Sequence, residues 1–459
     1  MDITRKLAEN IVEVRYEQLP SEVVEKTKRQ ILDTVGVMFP PSTLEKGCIA
    51  LEEICREGGG KAESTVVGFG GRLPCWMAAF VNGSLTHPMD YDDTIDEFVN
   101  HPSAHTFPAA LAIAEKVGNV SGKEFITAMV LGVDINVRLS AAPNGLAGQD
   151  YPWFPITTFG VFSATSTAGR LLRLSILEMV NAFGIALERV SGIAESISSP
   201  DSEIRGLRDG FGNREGVLAA LMAKKGISAC KNAFEILYKV YFNNDYKSWA
   251  LTSGLGKEFN GLKVSLKPWP CCRGTHSSIK AGLEIAEKYD VGPDRIKEVI
   301  LTAGKFGRDF LFTPIDAKRK PERGINAKFS FPFIMGIVFA KRRVVIQDFF
   351  EENLKDPEVL RIAEKIKYEF DPTFSKGVVG PGFVKVIMQG GECMERREDI
   401  PHGHPNNPMT DSELLNKFKD CSKYSKKKFS DSEITQIAEK ILNLEKVNDI
   451  KEFTNLIIG

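Results

Sequence analysis

Between Asn82 and His105 the chain gathers three of its six histidines, His87, His101 and His105, together with Asp90, Asp92, Asp93 and Asp96. The stretch reads Asn82-Gly83-Ser84-Leu85-Thr86-His87-Pro88-Met89-Asp90-Tyr91-Asp92-Asp93-Thr94, and His101-Pro102-Ser103-Ala104-His105 follows. Imidazole exchanges protons near neutrality, and adjacent carboxylates disfavour one another's ionisation. Together they suit the movement of a proton to or from a substrate. Two other readings fit the same residues. Asp and Asn collect in turns and helix caps, so Met89 to Thr94 would also serve as the cap of a following helix. His and Asp are metal ligands as well, but no cysteine pair lies nearby and the zinc signatures are absent, so no metal is expected.

Reactive types converge a second time in Lys267-Pro268-Trp269-Pro270-Cys271-Cys272-Arg273-Gly274-Thr275-His276. Lys267 can anchor a carboxylate, or exchange a proton if burial depresses its pKa. Arg273 offers a two-pronged grip on a carboxylate, and Cys272 and His276 share a helical face if a helix begins early. A thiol among cations can become a thiolate. The plainer alternative is that the two cysteines are apolar fillers and His276 caps a helix. A third basic group, Arg205, Arg208 and Arg214, is interleaved with Gly206, Gly210, Gly212 and Gly216. It reads equally as a receptor for a polyanion or as a solvated surface loop.

The elements that carry these groups are mostly helical. Val24, Thr27, Ile31 and Val35 recur at spacings of three and four after Pro20-Ser21. Ser121 with Glu124 forms a capping box that opens a helix through Phe125, Met129 and Val133. From Phe159 to Leu174 small residues alternate with bulky ones, the composition of a helix in a crowded core, and Val217 to Met222 continues the pattern. After Lys267-Pro268-Trp269-Pro270 the texture changes. A helix is predicted from about Ser277 to Tyr289, a strand from Ile296 to Thr302, and a hairpin in which Phe383–Met388 and Cys393–Arg397 flank Gly390-Gly391. Asp411-Ser412-Glu413 opens helices again. The expected layout is helical residues 1–263, an α+β segment 264–404, and residues 405–459 rejoining the helical part.

Lys plus Arg number 59 against 60 for Asp plus Glu, which argues against nucleic-acid or membrane-surface binding by bulk charge. Eight cysteines without a repeating spacing show no disulfide framework. Met1 to Lys6 lacks a signal-peptide core, and no apolar run is long enough to span a bilayer, so a cytoplasmic protein is expected.

These motifs, in this order, resemble the MmgE/PrpD family nearly end to end. The resemblance rests on Asn82–Thr94, His101-Pro102-Ser103, Phe159–Leu174, Gly216-Val217-Leu218-Ala219-Ala220 and Lys267–His276. It continues in Ala327-Lys328-Phe329-Ser330, Gly403-His404-Pro405-Asn406-Asn407-Pro408 and Lys417-Phe418. The family includes 2-methylcitrate dehydratase, cis-aconitate decarboxylase and iminodisuccinate epimerase. The resemblance implies a large all-helical domain from both chain ends, a smaller α+β lid domain, a homodimer and an active site in the cleft between domains. It implies chemistry on di- and tricarboxylates without a cofactor, through a carbanion or enediolate beside a carboxylate.

By the same resemblance Asp93, Thr94 and His101 match the first family motif, and Lys267 matches the family lysine. Phe154 stands where relatives often have histidine, Arg205 where they have lysine, Arg208 where they have histidine, and Cys272 where the decarboxylases have histidine. These departures point to a different small carboxylate as substrate rather than to a lost activity. The expected mechanism has His101 exchanging the proton on carbon and Asp93 orienting it. Lys267 and Arg205, with Arg208, Arg273 and Thr94, hold carboxylates. An epimerase using Cys272 or His276 as second proton carrier, and a non-catalytic carboxylate-binding protein, are the alternatives.

Overall fold

The computed structural model describes residues 2–98, 100–145, 151–195, 202–375 and 379–458. The chain is mainly helical and divides into two compact units. One comprises Met1–Ile95, Val99–Val264 and Thr410–Gly459, the other Asp96–Phe98 and Ser265–Met409.

In the first unit, the predicted periodicity becomes the Ser21–Met38 helix, which buries Val24, Thr27, Ile31 and Val35. The capping box forms as written. The Glu124 amide donates to Ser121 Oγ at 3.2 Å, the Ser121 amide donates to Glu124 Oε2 at 3.0 Å, and the Gly122–Ala141 helix follows. The Pro155–Leu171 helix packs against the Pro102–Val117, Gly122–Ala141 and Ile204–Lys224 helices. Its small residues are what permits the approach: a Cβ on Gly160 would lie 2.2 Å from the His105 ring. Thr165, Ser166 and Thr167 on this buried helix bond back to carbonyls one turn earlier, and Ser163 donates to the Gly132 carbonyl of the neighbouring helix at 2.8 Å, so these donors are not stranded.

Arg205, Arg208 and Arg214 lie on the Ile204–Lys224 helix, which corrects the surface-loop alternative. Glycines usually weaken a helix interior. Here they face packed neighbours: a Cβ on Gly210 would meet the Phe80 carbonyl at 2.4 Å, and one on Gly216 the Ala164 methyl at 2.5 Å. Close backbone packing fixes the helix where intrinsic propensity would not.

The last segment of the unit opens at Thr410, and its first helix starts at Asp411, where the start signal placed it. Thr410 Oγ1 accepts from the Glu413 amide and caps the Asp411–Ser422 helix, which packs on Ser21–Met38.

The second unit holds a four-stranded sheet in the order Ile366–Phe370, Ile296–Ala303, Gly382–Met388, Cys393–Glu398. The first pair is parallel and the others antiparallel, with Val299 opposite both Ile366 and Val386. Val299, Leu301, Val384 and Val386 alternate inward onto the His276–Lys288 and Phe331–Lys341 helices. Among the described residues no helix is long and apolar enough to cross a membrane.

Candidate functional site

The acidic, histidine-rich stretch folds over the start of the Pro102–Val117 helix in the first unit. Pro102 occupies the first helical position, where its missing N–H costs nothing. The next N–H, of Ser103, donates to Asp93 Oδ1 at 3.2 Å, and Ser103 Oγ donates to Asp93 Oδ2 at 2.5 Å. The Asp93 side chain therefore caps this helix, as the turn-and-cap reading anticipated. Full burial pushes its carboxyl up to about 7, against the lowering effect of the two Ser103 bonds.

His101, 6% exposed, sits immediately before the helix. Its Nδ1 lies 2.6 Å from the Asp93 carbonyl oxygen and 3.2 Å from Asp92 Oδ2. A carbonyl oxygen only accepts, so Nδ1 carries the proton and Nε2 holds the lone pair. A histidine fixed in this tautomer is set to act as a base through Nε2. The carboxylate that faces it belongs to Asp92, while Asp93 contributes its main-chain carbonyl.

Asp92 also receives His87, whose Nδ1 is 3.1 Å from Oδ2 and 3.2 Å from Oδ1. The other His87 nitrogen, Nε2, lies 2.9 Å from Arg208 Nη2. A guanidinium only donates, so Nε2 accepts and Nδ1–H points to Asp92. A chain of fixed polarity results, running from Arg208 through His87 to Asp92 and meeting His101. Arg208 is 3% exposed; its Nε is 3.3 Å from Asp209 Oδ1, and its guanidinium lies 4.6 Å from the centre of the Phe154 ring. Phe154 thus supplies an aromatic face to a buried cation.

His87, Asp92 and His101 bring their donor atoms within 4.8 Å of one another, the arrangement of a metal site. The donor chemistry opposes one. Both ring nitrogens that face Asp92 carry protons, and a divalent ion would have to displace both beside a buried guanidinium. The cluster fits a hydrogen-bonded relay.

Two further buried pairs support it. Lys417 Nζ is 2.6 Å from Asp33 Oδ1 and donates to the Tyr91 carbonyl at 2.7 Å, tying the loop to the C-terminal segment. Fully buried His105 and Asp209 lie 3.5 Å apart. Burial lowers the His105 pKa, with Asp209 opposing, and raises that of Asp209, with Arg208 opposing. His101 and His105, four residues apart, thus face different carboxylates. Thr94 is buried in the Thr94–Ile95 strand, and Arg205 is half-buried on the Ile204–Lys224 helix.

In the second unit, Lys267 is fully buried. Arg273 grips the Asp96 carboxylate with Nε at 2.9 Å and Nη2 at 2.8 Å, and its Nη1 donates to the His402 carbonyl at 2.6 Å. The two-pronged grip expected for a substrate is thus made to Asp96. The His276–Lys288 helix follows a 3-10 turn over Arg273–Thr275, so the four-residue spacing does not join Cys272 to His276. Instead His276 Nδ1 faces Arg273 Nη1 at 3.3 Å, and Nε2 faces the Cys271 carbonyl at 3.2 Å. Its proton is therefore on Nε2, with both nitrogens engaged. Cys272 is buried, with its amide on the Lys328 carbonyl.

Sequence reasoning passed over Asp92 and His87 as individuals, along with Asp33, Asp96 and Asp209. The density of His and Asp was the available signal. Which of two adjacent aspartates faces His101 is decided by the loop's path, which no spacing rule reports.

The MmgE/PrpD N-terminal domain model matches residues 5–248, and the MmgE/PrpD C-terminal domain model matches residues 269–444. A cis-aconitate decarboxylase-like protein of Aspergillus oryzae is 24% identical, over 100% of this chain and 98% of its own length. The cis-aconitate decarboxylase of Homo sapiens is 25% identical, over 100% of this chain and 95% of its own. That of Aspergillus terreus is 24% identical, over 96% and 93%.

Proposed function

Because the chain belongs to the MmgE/PrpD family, we propose that it is a lyase that removes carbon dioxide or water from a small di- or tricarboxylate. The relatives named above are decarboxylases of one such tricarboxylate, cis-aconitate, which supports the substrate class. The observation that carries the reading is the tautomer of His101, held with Nδ1–H on the Asp93 carbonyl and the Asp92 carboxylate.

In this mechanism His101 Nε2 exchanges the proton on the carbon next to a carboxylate. The imidazolium that forms is stabilised by Asp92, while Arg208 and His87 keep Asp92 oriented. Lys267 and Arg205, with Thr94, hold substrate carboxylates and the negative charge that develops. Loss of one such electrostatic contact costs about 3–4 kcal/mol of barrier. Arg273, committed to Asp96, positions the turn before His276. No cofactor takes part in these steps, and the active form is a homodimer, which light scattering of the purified protein tests.

Purified protein is assayed against cis-aconitate, 2-methylcitrate and citrate in deuterated buffer, following carbon dioxide, water loss and deuterium uptake together. Release of carbon dioxide or water by the wild type, abolished in His101→Ala with an unchanged circular dichroism spectrum, is the expected result. Near-normal turnover in His101→Ala removes His101 from the mechanism. Deuterium uptake at a stereocentre without either release replaces the lyase with an epimerase.

A further inference from the structure

Arg208 joins two carboxylates. Its Nη2 donates to His87 Nε2, and His87 leans on Asp92; its Nε donates to Asp209 Oδ1 at 3.3 Å. The same Asp209 oxygen lies 3.5 Å from His105 Nε2. Six side chains therefore run in series from His101 through Asp92, His87, Arg208 and Asp209 to His105, and none is more than 6% exposed. The two ends lie one turn apart, His101 just before the Pro102–Val117 helix and His105 on it. Close packing holds the far end, since a Cβ on Gly212 would lie 3.0 Å from the His105 ring.

Protons and charge behave differently along this series. A guanidinium keeps its protons at ordinary pH, so no proton passes from Asp209 to His87 through Arg208. Charge is still felt across it. With the imidazoles neutral, Asp92, Arg208 and Asp209 leave one negative charge in excess, which a proton on His101 cancels. Without the Asp209 charge, the same proton would leave an excess positive charge in a buried site, which disfavours it. The groups that face Asp209 are Arg208 on its own helix, His105 on the Pro102–Val117 helix and Asp92 in the loop. Burial raises its pKa, Arg208 and His105 oppose, and Asp92 adds to the rise. Among the other helices packed on Ile204–Lys224, Cys75–Ser84 carries no charge. Arg170 of Pro155–Leu171 is bonded to the Ile11, Val12 and Val14 carbonyls, Glu178 of Ile176–Leu187 caps its own helix, and Glu52 of Lys46–Glu57 pairs with Arg56.

We propose that Asp209 is a positioning residue for the base: through the fixed charge of Arg208 it sets how readily His101 takes up a proton, and His105 holds the Asp209 carboxylate in place. The coupling of Asp209 to His101 needs no substrate, whereas its effect on turnover rests on the function proposed above.

The test labels the histidines of the purified full-length protein with carbon-13 at Cε1 and follows them by NMR from about pH 5 to about pH 9. The His101 resonance is identified by its loss in His101→Gln. Asp209→Asn is expected to lower the His101 pKa by about 0.5–1 pH unit, because the variant removes a negative charge and little volume. Asp209→Ser removes the same charge in a smaller side chain and serves if Asp209→Asn does not fold. His105→Gln exchanges one neutral partner for another and should move the His101 pKa by less than about 0.3 pH unit. An unchanged or raised His101 pKa in the Asp209 variants overturns the proposal. So does an equal shift in His105→Gln, which would mark disturbed packing rather than lost charge. In the same variants the acid limb of the kcat/KM profile should move to lower pH along with the resonance. A resonance that moves while the limb stays supports the coupling and counts against His101 as the base, so the two readings fail separately.

Discussion

Replacing Asp92 by Asn tests the relay at its central residue. One carboxylate there accepts protons from two imidazoles, His87 Nδ1 at 3.1 Å and His101 Nδ1 at 3.2 Å. Both imidazoles lean on the same oxygen, Oδ2, and an amide oxygen in its place can accept from both, so what the substitution removes is the negative charge rather than the contacts. When His101 takes a proton from substrate, the carboxylate 3.2 Å away attracts the new charge by about 5 kcal/mol in an effective dielectric of about 20. The retained Asp93 carbonyl recovers part of this, leaving a net loss of about 2–4 kcal/mol, or about 30- to 1,000-fold in kcat. KM should change little, because Asp92 acts on charge that appears only in the transition state. The assay is steady-state kinetics across pH on the substrate identified by the panel, alongside Asp93→Asn. Asp93→Asn keeps the main-chain carbonyl that His101 uses, so its kcat should stay within about tenfold of wild type. If Asp93→Asn is the more damaging of the two, the assignment of Asp92 as the partner of His101 is refuted.

Asp93 also makes a stability prediction. Its carboxyl is pushed up to about 7 from an unfolded value near 3.8, so the folded state binds the extra proton in between. Its contribution is present at low pH and is lost as pH rises from about 4 to 7. The melting temperature of Asp93→Asn should therefore gain on wild type over that range, and parallel melting curves would count against the buried titration. Gly160→Ala would place a methyl 2.2 Å from the His105 ring and should cost about 2–3 kcal/mol in urea unfolding. A neutral result there would mean that the helices do not pack as described. Lys417→Met leaves Asp33 buried without its cation and should cost about 3–5 kcal/mol, measured at neutral pH and eased as pH falls. A loss below about 1 kcal/mol would show that this pair does not hold the loop.

Local signals in the sequence survived translation into structure where they concern hydrogen bonds between near neighbours. The Ser121–Glu124 box, the periodic Ser21–Met38 helix and the hairpin around Gly390-Gly391 were all readable from short spacings. Signals that depend on a partner elsewhere were not. Glycines among Arg205, Arg208 and Arg214 suggested a loop because the Phe80 carbonyl and the Ala164 methyl that they accommodate lie far away in sequence. Arg208 and His87 are 121 residues apart, so the bond that sets the His87 tautomer leaves no trace in spacing. Cys272 and His276 were separated by a single 3-10 turn, a change of register too small for periodicity to detect. The proton-handling character of the first cluster was legible from residue types, whereas its wiring was not.

The clasp of Lys417 on the Tyr91 carbonyl bears on biosynthesis. Every histidine and aspartate of the relay has left the ribosome before residue 265 is translated, yet the loop that carries them is closed by a lysine more than 150 residues further on. A nascent chain paused within the α+β segment would hold the His87, Asp92 and His101 side chains and lack the pin that closes their loop. The pin is therefore in place only after the Asp411–Ser422 helix emerges and packs on Ser21–Met38, so a chain that ends before it lacks the contact that ties this loop down.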